Sequence, residues 1–241
     1  MEVQVLRINW QSIHETRTII YQWFSRVFAD VMSPGLLAFS RDDWIPVLLK
    51  SLDSVKFAKE IDSMKSALEA LKTTKDAESV LAEDFKALFL GENGRHNRPL
   101  ASLYLPRKKL ATLHSIRPLS VFLKGWQVPL HPAFEGMDDH LSVYLAALAT
   151  WSLVLVEDVE PKELERHFDV QCSWFDIALA SWVFDWLDRL LDAEGTHSNF
   201  YQSFAAIMCA FMHEDDYKAG KAGADFGFNF KDDELVGRIL H

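Results

Sequence analysis

The sequence predicts an all-α protein, and three observations carry that prediction. Apolar residues recur at three- and four-residue spacing through most of the chain. Glycine is scarce in the first half, with only Gly35 and Gly91 ahead of Gly94. No pair of alternating apolar runs around a tight turn stands out as a hairpin. Pattern counting yields a bundle of roughly ten helices.

The elements follow in order. Ile13, Ile20, Phe24, Val27 and Phe28 share one helical face, and Trp44, Ile45, Leu48, Leu49 and Leu52 share a second. Phe57, Ile61, Met64, Leu68 and Leu71 make a third stripe, and Val80, Leu81, Phe85, Leu88 and Phe89 a fourth. Gly91–Pro106 then interrupts the pattern as a loop with turn chemistry at Asn93-Gly94. Gly125–Gly136 is a second interruption, because Pro129 and Pro132 disfavour helix for themselves and for the residues before them. Helices resume at Asp139–Val156, at Pro161, at Cys172–Ala193 and at Ser198–Glu214, with Ser198 suited to a cap. This organisation predicts an N-terminal helical subdomain over 1–126, a proline-containing hinge over 127–138, a C-terminal helical subdomain over 139–214 and a tail over 215–241. No internal repeat is visible.

The 241 residues suffice for one large domain or two small ones, and 49% hydrophobic content supports a buried core. A formal charge of −10 and a pI near 5.3 disfavour nucleic acid and favour cationic partners. Cys172 and Cys209 match no metal or redox spacing, so a reducing, cytoplasmic setting is expected. The opening MEVQVLRINWQ lacks the pattern of a signal peptide, and the longest apolar run, Leu145–Val156, is too short to span a bilayer.

Several residues could carry chemistry. Asp138, Asp139 and His140 stand at the mouth of an apolar helix, where carboxylates serve as caps and suit the helix dipole. An acid–base pair of Asp139 with His140 is the catalytic alternative, but adjacent helical residues do not face each other. No nucleophile with a recognisable setting accompanies them. His213-Glu-Asp-Asp216 packs candidate metal ligands closely, and the rival reading is an all-α metal-dependent hydrolase with a His/Asp site. Gly91-Glu-Asn-Gly94 lacks the Lys-Ser/Thr of a phosphate loop. The aromatics of 171–191 read as core.

Taken together, Asp84-Phe-Lys-Ala-Leu-Phe-Leu90, Pro99-Leu-Ala-Ser-Leu-Tyr104, Asp139-His-Leu-Ser-Val-Tyr-Leu145 and Phe200-Tyr201 resemble, in order and spacing, the TorD family of molybdoenzyme-specific chaperones. The resemblance spans about residues 10–216. It implies a cytosolic, all-helical, non-enzymatic protein that binds the twin-arginine leader and apo form of a molybdenum-cofactor reductase before export. Trimethylamine N-oxide reductase is the client it implies first, and weak guanine-nucleotide binding and domain-swapped dimers are implied as well. No other cofactor and no metal is expected.

The family's linker motif reads Glu-Pro-x-Asp-His. Its last two positions match Asp139 and His140, whereas Gly136 and Met137 stand where the family has Glu and Pro. Either Glu135 or Asp138 supplies the missing carboxylate, or this chain has lost that role. The expected peptide-binding residues are therefore Glu135, Asp138, Asp139, His140 and Tyr144. A leader offers two guanidinium groups and then an apolar stretch, so carboxylates beside an apolar helix would suit it. His140 is expected to titrate near neutrality there. In the tail, Phe226, Phe228 and Phe230 alternate, as in either a plain terminus or a segment that docks on an apolar groove.

Overall fold

The computed structural model describes residues 10–30, 45, 46, 49, 56–90, 97–108, 139–158, 160 and 163–219. Among them are eight α-helices, and the one extended pairing is an isolated antiparallel bridge between Leu100 and His140. The all-α class is as the sequence predicts. Most of the Trp44–Leu52 stripe and all of the 127–138 hinge lie outside the described residues.

Two helices form the centre. Helix α1 (Trp10–Val27) buries Ile13, Ile19, Ile20, Tyr21, Trp23, Phe24 and Val27, more than one narrow stripe. The reason emerges further along the chain. After α2 (Ala58–Thr73), α3 (Ala77–Phe85) and the short α4 (Ala101–Tyr104) comes α5 (Leu141–Asp158), and α1 packs against it more extensively than any other pair does. No residue of α5 is exposed from Leu141 to Val156. A helix that is apolar on every side must be enclosed, and α1 closes one of those sides. Ser25 Oγ ties the pair by donating to the Ser142 carbonyl at 2.8 Å.

The outer helices are amphipathic. Helix α2 turns Ile61, Met64, Leu68 and Leu71 inward at helical spacing and lies along α8 (Phe200–Ala219), with Ser63 Oγ and Ser203 Oγ 2.7 Å apart. Helix α6 (Leu164–Phe175) runs through a π-helical turn at Asp176–Ala180 into α7 (Ser181–Leu191). The sequence suggests a fresh helix start near Cys172. No proline or glycine lies between Leu164 and Leu191, so the backbone continues and takes up the change of register in the π turn. Trp182 Nε1 donates across that turn to the Ala178 carbonyl at 3.0 Å.

Aromatic rings fill the space between these helices. Phe28 meets Trp186 edge-on at 5.1 Å, and Phe24 meets Phe204 at 5.5 Å. Such edge-to-face contacts add about 1 kcal/mol each beyond burial. Residues from both sides of the hinge belong to one hydrophobic cluster, from Ile19 to Met212. A smaller cluster of Ile13, Phe168 and Cys172 joins α1 to α6. There the buried Arg17 guanidinium lies 4.8 Å from the Phe168 ring and 5.6 Å from that of Tyr21. His14, also buried, sets Nε2 3.4 Å from the Leu164 carbonyl.

One buried carboxylate organises the entry to α8. Asp84, on α3, accepts from the His197 and Ser198 backbone N–H groups at 2.6 and 2.8 Å and from Ser198 Oγ at 2.6 Å. His197 Nδ1 lies 3.2 Å from the same side chain. Ser198 Oγ also accepts from Phe200 N at 3.5 Å, so the clamp reaches the first residue of α8. Gly195, at φ +86°, supplies the left-handed turn that brings the chain back to it. Removing the shared acceptor of several part-buried donors is costly. Asp84→Ala is expected to lower stability by about 3 kcal/mol in urea unfolding followed by circular dichroism, and Asp84→Asn by less.

Candidate functional site

Two segments about forty residues apart meet where α4 and α5 begin. Ala101 N donates to the Asp139 carbonyl at 2.9 Å, and Leu141 N donates to the Pro99 carbonyl at 2.8 Å. This pair of bonds staples Pro99–Ala101 to Asp139–Leu141. Each helix start has backbone N–H groups in need of acceptors, and the staple places two side chains to supply them.

The roles differ from the simple reading of the sequence. Asp139 does not cap its own helix. Its Oδ2 accepts from Ser102 N at 3.3 Å, in the first turn of α4. His140 caps α5 instead. Its Nδ1 accepts from Ser142 N at 3.1 Å, and its carbonyl accepts from Val143 N at 2.9 Å. The helix begins at Leu141 rather than at Asp139 because the backbone of both preceding residues is held in the bridge to α4. An acceptor role for Nδ1 requires neutral imidazole with its proton on Nε2.

The electrostatics agree with that role. Burial lowers the His140 pKa to about 4, against an opposing pull from the Asp139 charge. The expectation that His140 titrates near neutrality is corrected by this: the ring is 9% exposed, and the charged form is too poorly solvated.

Tyr144 lies one turn further along and is only 3% exposed. Its ring is 5.9 Å from Trp182 and 6.1 Å from Trp174. It is a core residue that supports the site from beneath, so its ring does not offer a peptide a surface. Tyr104, on α4, stacks on Trp182 at 5.9 Å and carries the Arg189 guanidinium 4.9 Å from its own ring centre. Burial pushes the Tyr104 phenol up to about 12. A ladder Arg189–Tyr104–Trp182–Tyr144–Trp174 thus fixes α4 on the bundle, while Leu103 on α4 is half exposed. Glu135 and Asp138 lie outside the described residues, so the structure brings together Asp139, His140 and Tyr144.

Residues 99–104 are the part of the site that helical periodicity does not find. Their signal is Pro99-Leu-Ala-Ser-Leu-Tyr104, a motif of the resemblance without a role of its own until the staple is seen. Elsewhere, His213 stacks on Phe184 at 4.2 Å and Glu214 pairs with Lys56 at 3.6 Å. Among the described residues, no three His, Cys, Asp or Glu side chains are grouped to hold a metal ion. No helix among them is long and apolar enough to cross a membrane.

Comparison with known proteins places this architecture. A family described as nitrate reductase delta subunit matches residues 52–188. The chain belongs to that family, within its TorD-like branch of chaperones for molybdoenzyme maturation, which are not enzymes. "Chaperone protein TorD" of Psychrobacter sp. (strain PRwf-1) is 26% identical over 213 residues, covering 86% of this chain and 93% of the relative. The proteins of the same name from Vibrio parahaemolyticus serotype O3:K6 and Pasteurella multocida are 28% and 26% identical, covering 85% and 83% of this chain and 95% of each relative. No solved structure matches the chain.

The cap chemistry makes stability depend on pH. Burial lowers the His14 pKa to about 3 and that of His140 to about 4, from 6.5 in both cases. Between those values and 6.5 the unfolded chain binds more protons than the folded one, so stability is full above pH 6.5 and declines as pH falls. At pH 5 each histidine is expected to cost about 2 kcal/mol. Urea midpoints at pH 7.5 and pH 5 measure the loss. His140→Asn keeps a cap acceptor without titrating there, and should remove about half of it.

Proposed function

We propose that this chain is a cytosolic chaperone that binds the twin-arginine leader and apo form of a molybdenum-cofactor reductase, shielding the enzyme and assisting cofactor insertion before export. Trimethylamine N-oxide reductase is the proposed client. The observation that carries the reading is the α4–α5 junction, where the Asp139 carboxylate is partly accessible beside the half-exposed Leu103. Arginine recognises carboxylate through paired N–H donors, and the apolar part of a leader needs adjoining apolar surface. The chain's charge of −10 favours capture of a basic peptide. Family membership supports the chaperone class, and relatives along most of the chain are named as chaperones.

Asp139 has two roles in this reading, and one substitution separates them. Asp139→Asn keeps an oxygen for Ser102 N and removes the charge. The expected result is a stability change within about 1 kcal/mol together with reduced reductase activity in the native host. Full reductase activity in cells carrying the variant would reduce Asp139 to a cap.

The proposal includes a homodimer formed by exchange of halves. Helices α1 and α5 stand on opposite sides of the 127–138 hinge in sequence, yet form the central pair. The same contact could be made between two copies. A sizing column is expected to show monomer and dimer together, whereas a single monomer peak at every concentration would contradict exchange.

A further inference from the structure

A polar cleft of about 600 Å³ lies between α2, α8 and the end of α7. Its lining follows α8 from Asn199 to His213, about 21 Å along the axis, which is the length of about six residues in extended form. Ser203, Ala206 and Ala210 keep its floor low. Two carboxylates act on its middle. Burial raises the pKa of the Cys209 thiol, which lines the cleft, and the charges of Asp188 on α7 and Glu60 on α2 raise it further. Glu60 is half-buried and Asp188 exposed, and neither pairs with a cation among the described residues. The wall also holds an orphaned acceptor. Gln202 Nε2 donates to Thr196 Oγ1 at 3.1 Å and to the Ala193 carbonyl at 3.5 Å, which leaves Oε1 buried without a partner. An unpaired buried acceptor is costly. These groups call for a ligand that brings N–H donors and positive charge.

We infer that this cleft binds an extended segment of a partner protein with an arginine or lysine at its centre. The basic side chain lies against Glu60 and Asp188, where carboxylates form charge-assisted hydrogen bonds to it. Backbone N–H groups of the segment supply the donors that the wall lacks, and Lys59, exposed on the rim, is left for a peptide carbonyl. The length of the cleft selects an extended chain over a compact cation, and the small floor residues let a backbone approach α8. The chain's charge of −10 steers such a segment inward. The cleft is separate from the α4–α5 junction, so the inference stands whether or not that junction binds a leader.

The probe is a capped, fluorescein-labelled hexapeptide of alanine and serine with one central arginine, titrated with the full chain by fluorescence anisotropy. Binding is expected, and a chain carrying both Glu60→Gln and Asp188→Asn is expected to bind with a Kd about tenfold higher. Both side chains are accessible and unpaired among the described residues, so this variant is expected to fold, which circular dichroism checks. Maleimide labelling of Cys209 locates the site, since Cys172 is buried. Unlabelled peptide at about ten times its Kd should slow that labelling about tenfold. No binding, equal binding of a peptide with glutamine in place of the arginine, or Cys209 labelling unchanged by bound peptide overturns the inference. Competition by acetyl-arginine amide at the peptide's own Kd also overturns it, by assigning the cleft to a lone cation.

Discussion

The structure depends on enclosing α5. Sixteen consecutive residues of that helix, Leu141 to Val156, have no exposed member. Such a helix is stable only when neighbours cover it on every side, and burying each large side chain contributes about 2 kcal/mol. Helix α1 exists in its unusually buried form because it supplies one of those sides, and the α6–α7 rod approaches through Trp174 and Trp182. The start of α5 must satisfy its first N–H groups without open solvent, and the staple to Pro99–Ala101 follows from that need.

The site is thus a by-product of helix ends. Neutral His140 caps α5 and Asp139 caps α4, so one dipeptide serves two helices. The division of labour suits a binding surface. The residue that must remain uncharged is buried, and the one that carries charge is partly accessible. Asp84 does the same service for α8 from inside the bundle, where three donors converge on it. Asp84 and Asp139 act first as acceptors for helix starts, and of the two Asp139 is the one accessible to a cationic ligand.

Much of this was legible in the sequence, and the rest was hidden for physical reasons. Stripes such as Ile61–Met64–Leu68–Leu71 mark the helices, because burial enforces their period. The Asp139–His140 pair is visible as a helix entry. Which residue caps which helix is not, because the answer depends on a segment forty positions away. Tyr144 is expected from the sequence as a peptide-binding residue, yet tertiary packing sets its ring near Trp174 and Trp182. The π turn at Asp176–Ala180 leaves no local signal, since no glycine or proline marks it. His140 escapes its ordinary titration range through burial, which one sequence does not display.

The central claim is that the junction between two helix starts, through its Asp139 carboxylate, recognises a cationic, apolar leader. Isothermal calorimetry of the full chain with a synthetic twin-arginine leader, at low and at high salt, tests it most directly. Binding heat that weakens as salt rises is the predicted result, because screening acts on accessible charge pairs. No heat at either ionic strength would contradict the account.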